Sequence, residues 1–226
     1  VDQQTDRWTA VDDYLGGLVL GPDPDLEAAL DAASAAGLPQ IQVSPPQGRM
    51  LTLLARMMGA RRVLEIGTLG GYSTICLARA LPSDGALVTL ELSPDHADVA
   101  RANIARAGLE KVVAIRVGRA VDSLRQLESE GQAPFDLVFI DADKASNPDY
   151  LDYAVRLGHP GTVIVLDNAI RGGAIAEPER DDPDVTGTRA ALERMGNDPR
   201  LFATVIQTVG GKGYDGFALA VLDTPR

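Results

Sequence analysis

Two short stretches, "FIDADK" and "VLDNA", place Asp141, Lys144, Asp167 and Asn168 directly after apolar runs. Carboxylates and an amide oxygen at neighbouring strand ends suit a hard divalent cation that keeps several waters. Mg²⁺ comes first, with Ca²⁺ or Mn²⁺ as alternatives. Successive strand residues face opposite sides, so Asp167 and Asn168 reach one ion only where the chain turns out of its strand. The sequence has two histidines and one cysteine, too few for a zinc site. Lys144 follows Asp141 by three residues, which on an opening helical turn puts both on one face. A lysine beside a metal and partly desolvated surrenders its proton more readily, since both effects disfavour the charged form. It then becomes a candidate base, with a surface lysine paired to Asp143 or Asp149 as the plainer alternative. Asp143 itself receives no role.

A second constellation lies upstream. "LEIGTLGGYST" follows an apolar run, and its glycines at 67, 70 and 71 let backbone approach a ligand closely. Leu69 and Tyr72 stand where a G-x-G-x-x-G dinucleotide turn needs glycine. Glu91 ends the next apolar run, the place where an acid accepts hydrogen bonds from ribose hydroxyls. Together these point to an adenosine cofactor, and the glycine spacing favours S-adenosylmethionine over NAD. Gly118, Arg119 and Ala120, in "VGRAVDSL", supply a turn bordering the adenine.

The elements that position these residues follow from periodicity. Helices are predicted at 6–20, 25–36 and 47–58, then at 72–80, 94–107, 119–129, 148–157 and 186–196. "RRVLEI", "ALVTLE", "VVAIRV", "FDLVFI" and "TVIVL" read as strands apolar on both faces, hence as a parallel sheet covered on both sides. Residues 170–185 form a long polar insertion. "LFATVIQTV" and "GFALAVL" flank "GGKGYD" as an antiparallel hairpin closing the sheet. The expected architecture is one α/β domain over 1–226, with a helical cap at 1–60 and a cofactor-binding core at 61–226. Trp8 and Tyr14 sit at helical spacing that favours a core role. Cys76 is expected in the core, and His96 and His159 in solvent.

The 226 residues carry a formal charge of −11, which disfavours a nucleic-acid groove or an anionic membrane surface. A lone cysteine excludes an intrachain disulfide and fits a reducing compartment. No stretch reads as a secretory signal or a membrane span, so a cytoplasmic protein is expected.

From "VSPPQG" at 43–48 to the last strand, the sequence resembles the cation-dependent O-methyltransferases, a family that includes caffeoyl-CoA and catechol O-methyltransferases. "LEIGTLGGYS", "FIDADK" and "LDNAIRGG" carry the resemblance together. It implies a Rossmann-like sheet of seven strands, the last antiparallel, and frequent homodimers. It further implies that Asp141, Asp167 and Asn168 bind the metal and that Lys144 is the general base. Glu65, Gly67, Tyr72 and Ser73 would surround the methionine part of the cofactor, and Glu91 would hold its ribose. Val43 and Ser44 would close over it, with Asp141 counted among the cofactor contacts as well. The implied reaction moves a methyl group from S-adenosylmethionine to one hydroxyl of an ortho-dihydroxy aromatic. A non-catalytic cofactor-binding module and an NAD(P)-dependent oxidoreductase stay open as alternatives on the sequence.

Overall fold

The computed structural model describes residues 3–224. They group into two compact units, one of residues 10–123 and one of residues 124–224 together with 3–9. The strands form one sheet in the order 113–117, 86–91, 62–66, 137–140, 163–167, 213–222 and 201–210, with 213–222 antiparallel to both of its neighbours.

The first unit contains α2 (Pro24–Ala35), α3 (Pro45–Met57), β1 (Arg62–Ile66), α4 (Tyr72–Ala78), β2 (Ala86–Glu91), α5 (Pro94–Arg106) and β3 (Val113–Val117). Three of its helices begin the same way. Asp23, Ser44 and Ser93 accept the amides of Leu26, Gln47 and His96, and a proline with preset φ follows each. β1 pairs in parallel with β2, and β2 with β3. Val63, Leu64, Glu65 and Ile66 are all buried, so both faces of β1 are covered. Helix α4 is buried along its whole length. A Cβ on Gly48 of α3 would stand 2.8 Å from Cys76 Sγ, so these two helices meet where only glycine fits. Burial pushes the Cys76 thiol up to about 12, which agrees with a core cysteine and not a nucleophile.

The second unit contains β4 (Leu137–Ile140), α7 (Asn147–Arg156), β5 (Val163–Asp167), α8 (Pro183–Asn197), β6 (Leu201–Gly210) and β7 (Gly213–Leu222). β4 and β5 are parallel, and β7 runs antiparallel to β5. The hairpin turn is tighter than "GGKGYD" suggested. Gly210 pairs with Gly213, leaving Gly211 and Lys212 as a two-residue turn, and Gly213 takes φ +94°. The polar insertion at residues 170–185 carries regular structure. They hold a 3₁₀ segment at Arg171–Ala176 and the first turn of α8. Asp182 caps that turn by accepting the amides of Asp184 and Val185, and Pro183 follows it. His159 keeps its expected contact with solvent and gains a partner as well. Its Nε2 lies 2.9 Å from Asp136 Oδ1, and that hydrogen bond raises its pKa, with the Pro160 carbonyl adding to the effect.

Helices α1 (Gln3–Val19) and α6 (Ala120–Ser129) cross the boundary between the units. The core role expected for Tyr14 does not hold. No α1 residue is buried, Tyr14 is 68% exposed, and Val11, Leu15, Leu18 and Val19 are exposed with it. Trp8 is half-buried. The stripe has the spacing of a core face and lacks a covering element among the described residues.

Candidate active site

In the first unit the candidate cofactor residues gather where β1 and β2 end. Gly67, Leu69 and Gly71 adopt φ of +104°, +51° and +84°, so the backbone turns sharply between β1 and α4. Leu69 is the notable case, because a side chain in the left-handed region costs roughly 1–2 kcal/mol. Glu91 supplies the restraint that holds it. The Thr68 and Leu69 amides donate to Glu91 Oε2 at 3.3 and 2.8 Å, and the Ser93 amide donates to Oε1 at 2.9 Å. His96 Nδ1 lies 3.5 Å from Oε1, so His96 is not the purely solvated residue expected. Glu91 is 8% exposed, and its oxygens keep lone pairs for further donors.

Glu65 is fully buried in β1. Ser73 Oγ donates to its Oε1 at 2.6 Å and Thr74 Oγ1 donates to its Oε2, so strand and helix are tied beneath the turn. Tyr72 is buried beside them, and desolvation raises its pKa, so its hydroxyl stays neutral. Val43 is buried immediately before the α3 cap at Ser44. Gly118, at φ +142°, leads through Arg119 into α6, which Ala120 begins.

Sequence reasoning passed over several residues that shape this group. Asn103 of α5 is buried and donates Nδ2 to the Gly70 carbonyl at 2.9 Å and to the Ala29 carbonyl at 3.3 Å. It thereby fixes the glycine turn from behind. Thr68 and Thr89 share a hydroxyl hydrogen bond of 2.6 Å. An asparagine inside the "VARANIAR" helical run was the available signal, because a polar residue on a buried helix face needs partners.

In the second unit Asp141 directly follows β4, and Asp167 is the last residue of β5. Asn168 then takes φ +55°. The chain therefore leaves the strand at that residue, as two consecutive ligands require, and asparagine tolerates this conformation better than most side chains. Lys144 is 6% exposed and opens a 3₁₀ turn, Lys144–Ser146. Its Nζ donates to Asp141 Oδ1 at 2.7 Å, so its partner is neither Asp143 nor Asp149.

Asp143 gains a structural part. It stands at the N-cap of the 3₁₀ turn and accepts from the Tyr150 hydroxyl. Burial by itself would raise its pKa, but hydrogen bonds from Ser146, Tyr150 and the backbone outweigh it and hold the carboxyl below its usual range. Helix α8 lies flush on the same turn. A Cβ on Gly187 would come within 2.3 Å of the Lys144 carbonyl oxygen and 2.7 Å of Ala145 Cα. Among the described residues no three histidine, cysteine, aspartate or glutamate side chains are grouped to hold a metal. The set here is two carboxylates and an amide.

Residues 25–220 match a family model described as O-methyltransferase. A catechol O-methyltransferase of Mycobacterium tuberculosis is 55% identical over 212 residues, 94% of either chain. Among solved structures, an O-methyltransferase from Bacillus cereus in complex with SAH aligns with a TM-score of 0.96 at 52% identity. That alignment covers 97% of this chain and 100% of the other. The O-methyltransferase TomG from Streptomyces achromogenes, involved in tomaymycin synthesis and in complex with SAM, aligns at 0.95 and 47% identity, covering 99% and 100%. With its glycine turn, its strand-end acids and these likenesses, the chain belongs to the O-methyltransferase family and is an S-adenosylmethionine-dependent O-methyltransferase.

Proposed function

We propose that the enzyme methylates one hydroxyl of an ortho-dihydroxy aromatic, with a divalent cation held by Asp141, Asp167 and Asn168. The single observation carrying this reading is the Asp141–Lys144 pair, a buried lysine 2.7 Å from a strand-end carboxylate. The catechol O-methyltransferase name of the 55% identical mycobacterial relative supports the acceptor class. The donor set fits a hard cation, because two carboxylates and an amide oxygen offer only oxygen. A divalent cation held by these residues would supply Lewis acidity, lowering the pKa of the hydroxyl that reacts.

Lys144 accepts the proton of the reacting hydroxyl. The phenolate oxygen then forms its bond to the methyl carbon as the carbon–sulfur bond breaks, and the sulfonium becomes a neutral thioether. Glu91 orients the ribose. Glu65, Gly67, Tyr72 and Ser73 surround the methionine end, Val43 closes over it, and Gly118, Arg119 and Ala120 border the adenine. Asp141 also touches the cofactor. Positioning of this kind supplies about 7–11 kcal/mol of barrier reduction when reactants are well oriented.

We further propose that the chain works as a single methyltransferase domain, cytoplasmic and homodimeric, with a small aromatic and no nucleic acid or membrane as partner. The uncovered α1 stripe of Val11, Tyr14, Leu15, Leu18 and Val19 is the feature that favours a second copy. No helix of the described residues is long and apolar enough to cross a membrane.

The direct test is a mass-spectrometric screen of ortho-dihydroxy acceptors with S-adenosylmethionine and Mg²⁺, repeated after exhaustive chelation. Methylation lost on chelation and restored by Mg²⁺ is the expected outcome, and undiminished turnover without metal would remove the cation from the mechanism. A second expectation concerns Glu91. Its carboxylate both holds the Leu69 turn and receives the ribose, so Glu91→Ala should weaken S-adenosylmethionine binding about 100-fold. That equals two charge-assisted hydrogen bonds at the lower end of their usual range. Titration calorimetry reads the change, and an unaltered Kd would mean that the ribose is held elsewhere.

A further inference from the structure

An arginine on α8 holds the polar insertion together, and the reaction described above gives it no task. None of residues 171–182 is buried, and 177–181 are exposed throughout, so no core packing anchors the segment. Gly172 and Gly173 take φ of +63° and +96°, and glycine loses more freedom on ordering than any other residue. Arg189 supplies what burial does not. Its Nε donates to the Ile175 carbonyl at 3.0 Å and its Nη1 to the Arg180 carbonyl at 3.1 Å. Its Nη2 donates to the Ala174 carbonyl at 2.9 Å and to that of Glu177. The Ala174 and Glu177 carbonyls also accept the amides of Glu177 and Arg180, so one guanidinium closes two successive turns.

The segment joins the two sides of the proposed site. It begins three residues past Asn168, where the Ile170 and Arg171 amides donate to Asp215 Oδ1 at 3.0 Å. It ends at Asp182, the cap of α8. Arg171 Nη2 donates to Asp184 Oδ2 at 3.1 Å and ties the start to the end. Three residues further on, Gly187 seats α8 against the Lys144 carbonyl. The chain that leaves the proposed cation ligand thus returns on the helix packed against the turn of the proposed base.

We propose that Arg189 is a positioning residue for the acceptor: it keeps residues 174–180 folded as a wall of the acceptor site before the acceptor arrives. This rests on Asn168 and Lys144 having the roles proposed above. Apparent affinity scales with the fraction of molecules in the binding-competent form. A wall formed in about a tenth of them raises the acceptor KM about tenfold and leaves kcat, read at saturation, where it was. Lysine cannot replace the arginine, since an ammonium is a point charge and the guanidinium a planar fork that spans separate carbonyls.

Hydrogen exchange read by mass spectrometry, with kinetics on catechol in the presence of Mg²⁺, tests this in wild type, Arg189→Lys and Arg189→Met. Amides of residues 173–180 should exchange about tenfold faster in Arg189→Met while the strands are unchanged, and Arg189→Lys should fall between. KM for catechol should rise about tenfold at constant kcat, and S-adenosylmethionine affinity should hold. Arg194 of the same helix, which donates to the Pro148 carbonyl and to Asp152, is the control. Arg194→Met should alter neither readout. Unchanged exchange in Arg189→Met would overturn the proposal, and so would a loss confined to kcat, which any loosening of the fold would produce. A wild-type enzyme inert towards catechol is a failure of the acceptor class, and the exchange comparison then decides Arg189 by itself.

Discussion

Asp141→Ala is expected to abolish methyl transfer and also to destabilise the protein, a combination that most active-site substitutions do not produce. The first effect follows from the loss of a proposed cation ligand. The second follows from Lys144, which is 6% exposed and donates to Asp141 Oδ1. Removing one partner of a buried pair leaves the other charge uncompensated, at a cost of about 3–5 kcal/mol. For a chain of this size each kcal/mol lowers Tm by roughly 2–4 °C, so a fall near 10 °C is expected by calorimetry. Lys144→Met should behave differently. It leaves the partly exposed carboxylate, which water can reach, and lowers kcat by about 10²–10⁴-fold as a lost general base does. Affinity for S-adenosylmethionine should change little. Combining both substitutions should recover much of the lost stability and none of the activity. An Asp141→Ala protein of unchanged Tm would show that the ammonium finds another partner. A Lys144→Met enzyme that loses cofactor binding alone would rule out the base assignment.

The second large effect is expected far from any reacting atom. Gly187 lies inside α8, where alanine would ordinarily raise helix stability by about 1 kcal/mol. Here the added methyl would meet the Lys144 carbonyl oxygen at 2.3 Å and the Ala145 backbone at 2.7 Å. Neither is the far end of a flexible side chain, so the 3₁₀ turn or the helix must move. Overpacking of this sort costs typically 1–3 kcal/mol and occasionally more, and about 3 kcal/mol is expected. The displaced segment carries the proposed base, so kcat should fall at least tenfold while S-adenosylmethionine affinity holds. Gly196, in the same helix with nothing near its Cβ position, is the control. Gly196→Ala should leave kcat unchanged, with stability unchanged or slightly raised. Equal behaviour of the two variants in urea unfolding and kinetics would refute the close contact.

Strands announced themselves in the sequence because β1, β2, β4 and β5 are buried on both faces and so read as unbroken apolar runs. The start of α5 was equally plain, with Ser93 as cap before Pro94, whereas α3 was placed at Gln47 although Ser44 caps it before Pro45. The same signal at Asp182–Pro183 was hidden by the acids around it, and the start of α8 was placed three residues late. The core reading of Tyr14 misled for another reason. Periodicity reports that a face is apolar and says nothing of whether the same chain covers it. At the site, residue types and strand ends sufficed to single out Asp141, Lys144, Asp167 and Glu91 as candidates. Contacts made by residues distant in sequence stayed invisible. Asn103 behind the glycine turn and Gly187 against Lys144 both depend on tertiary placement that local pattern does not encode.

The left-handed backbone at Asn168 has an evolutionary consequence. A residue there must tolerate φ +55° and, if it is a ligand, offer a short oxygen. Glycine meets the first demand and lacks the oxygen, whereas glutamine or glutamate brings the oxygen on a longer stem without the same tolerance. Aspartate alone satisfies both, and it would add a negative charge to a set that already has two. Mutational drift at this position is therefore confined to one neighbouring residue, and that step alters the charge with which the site greets its cation.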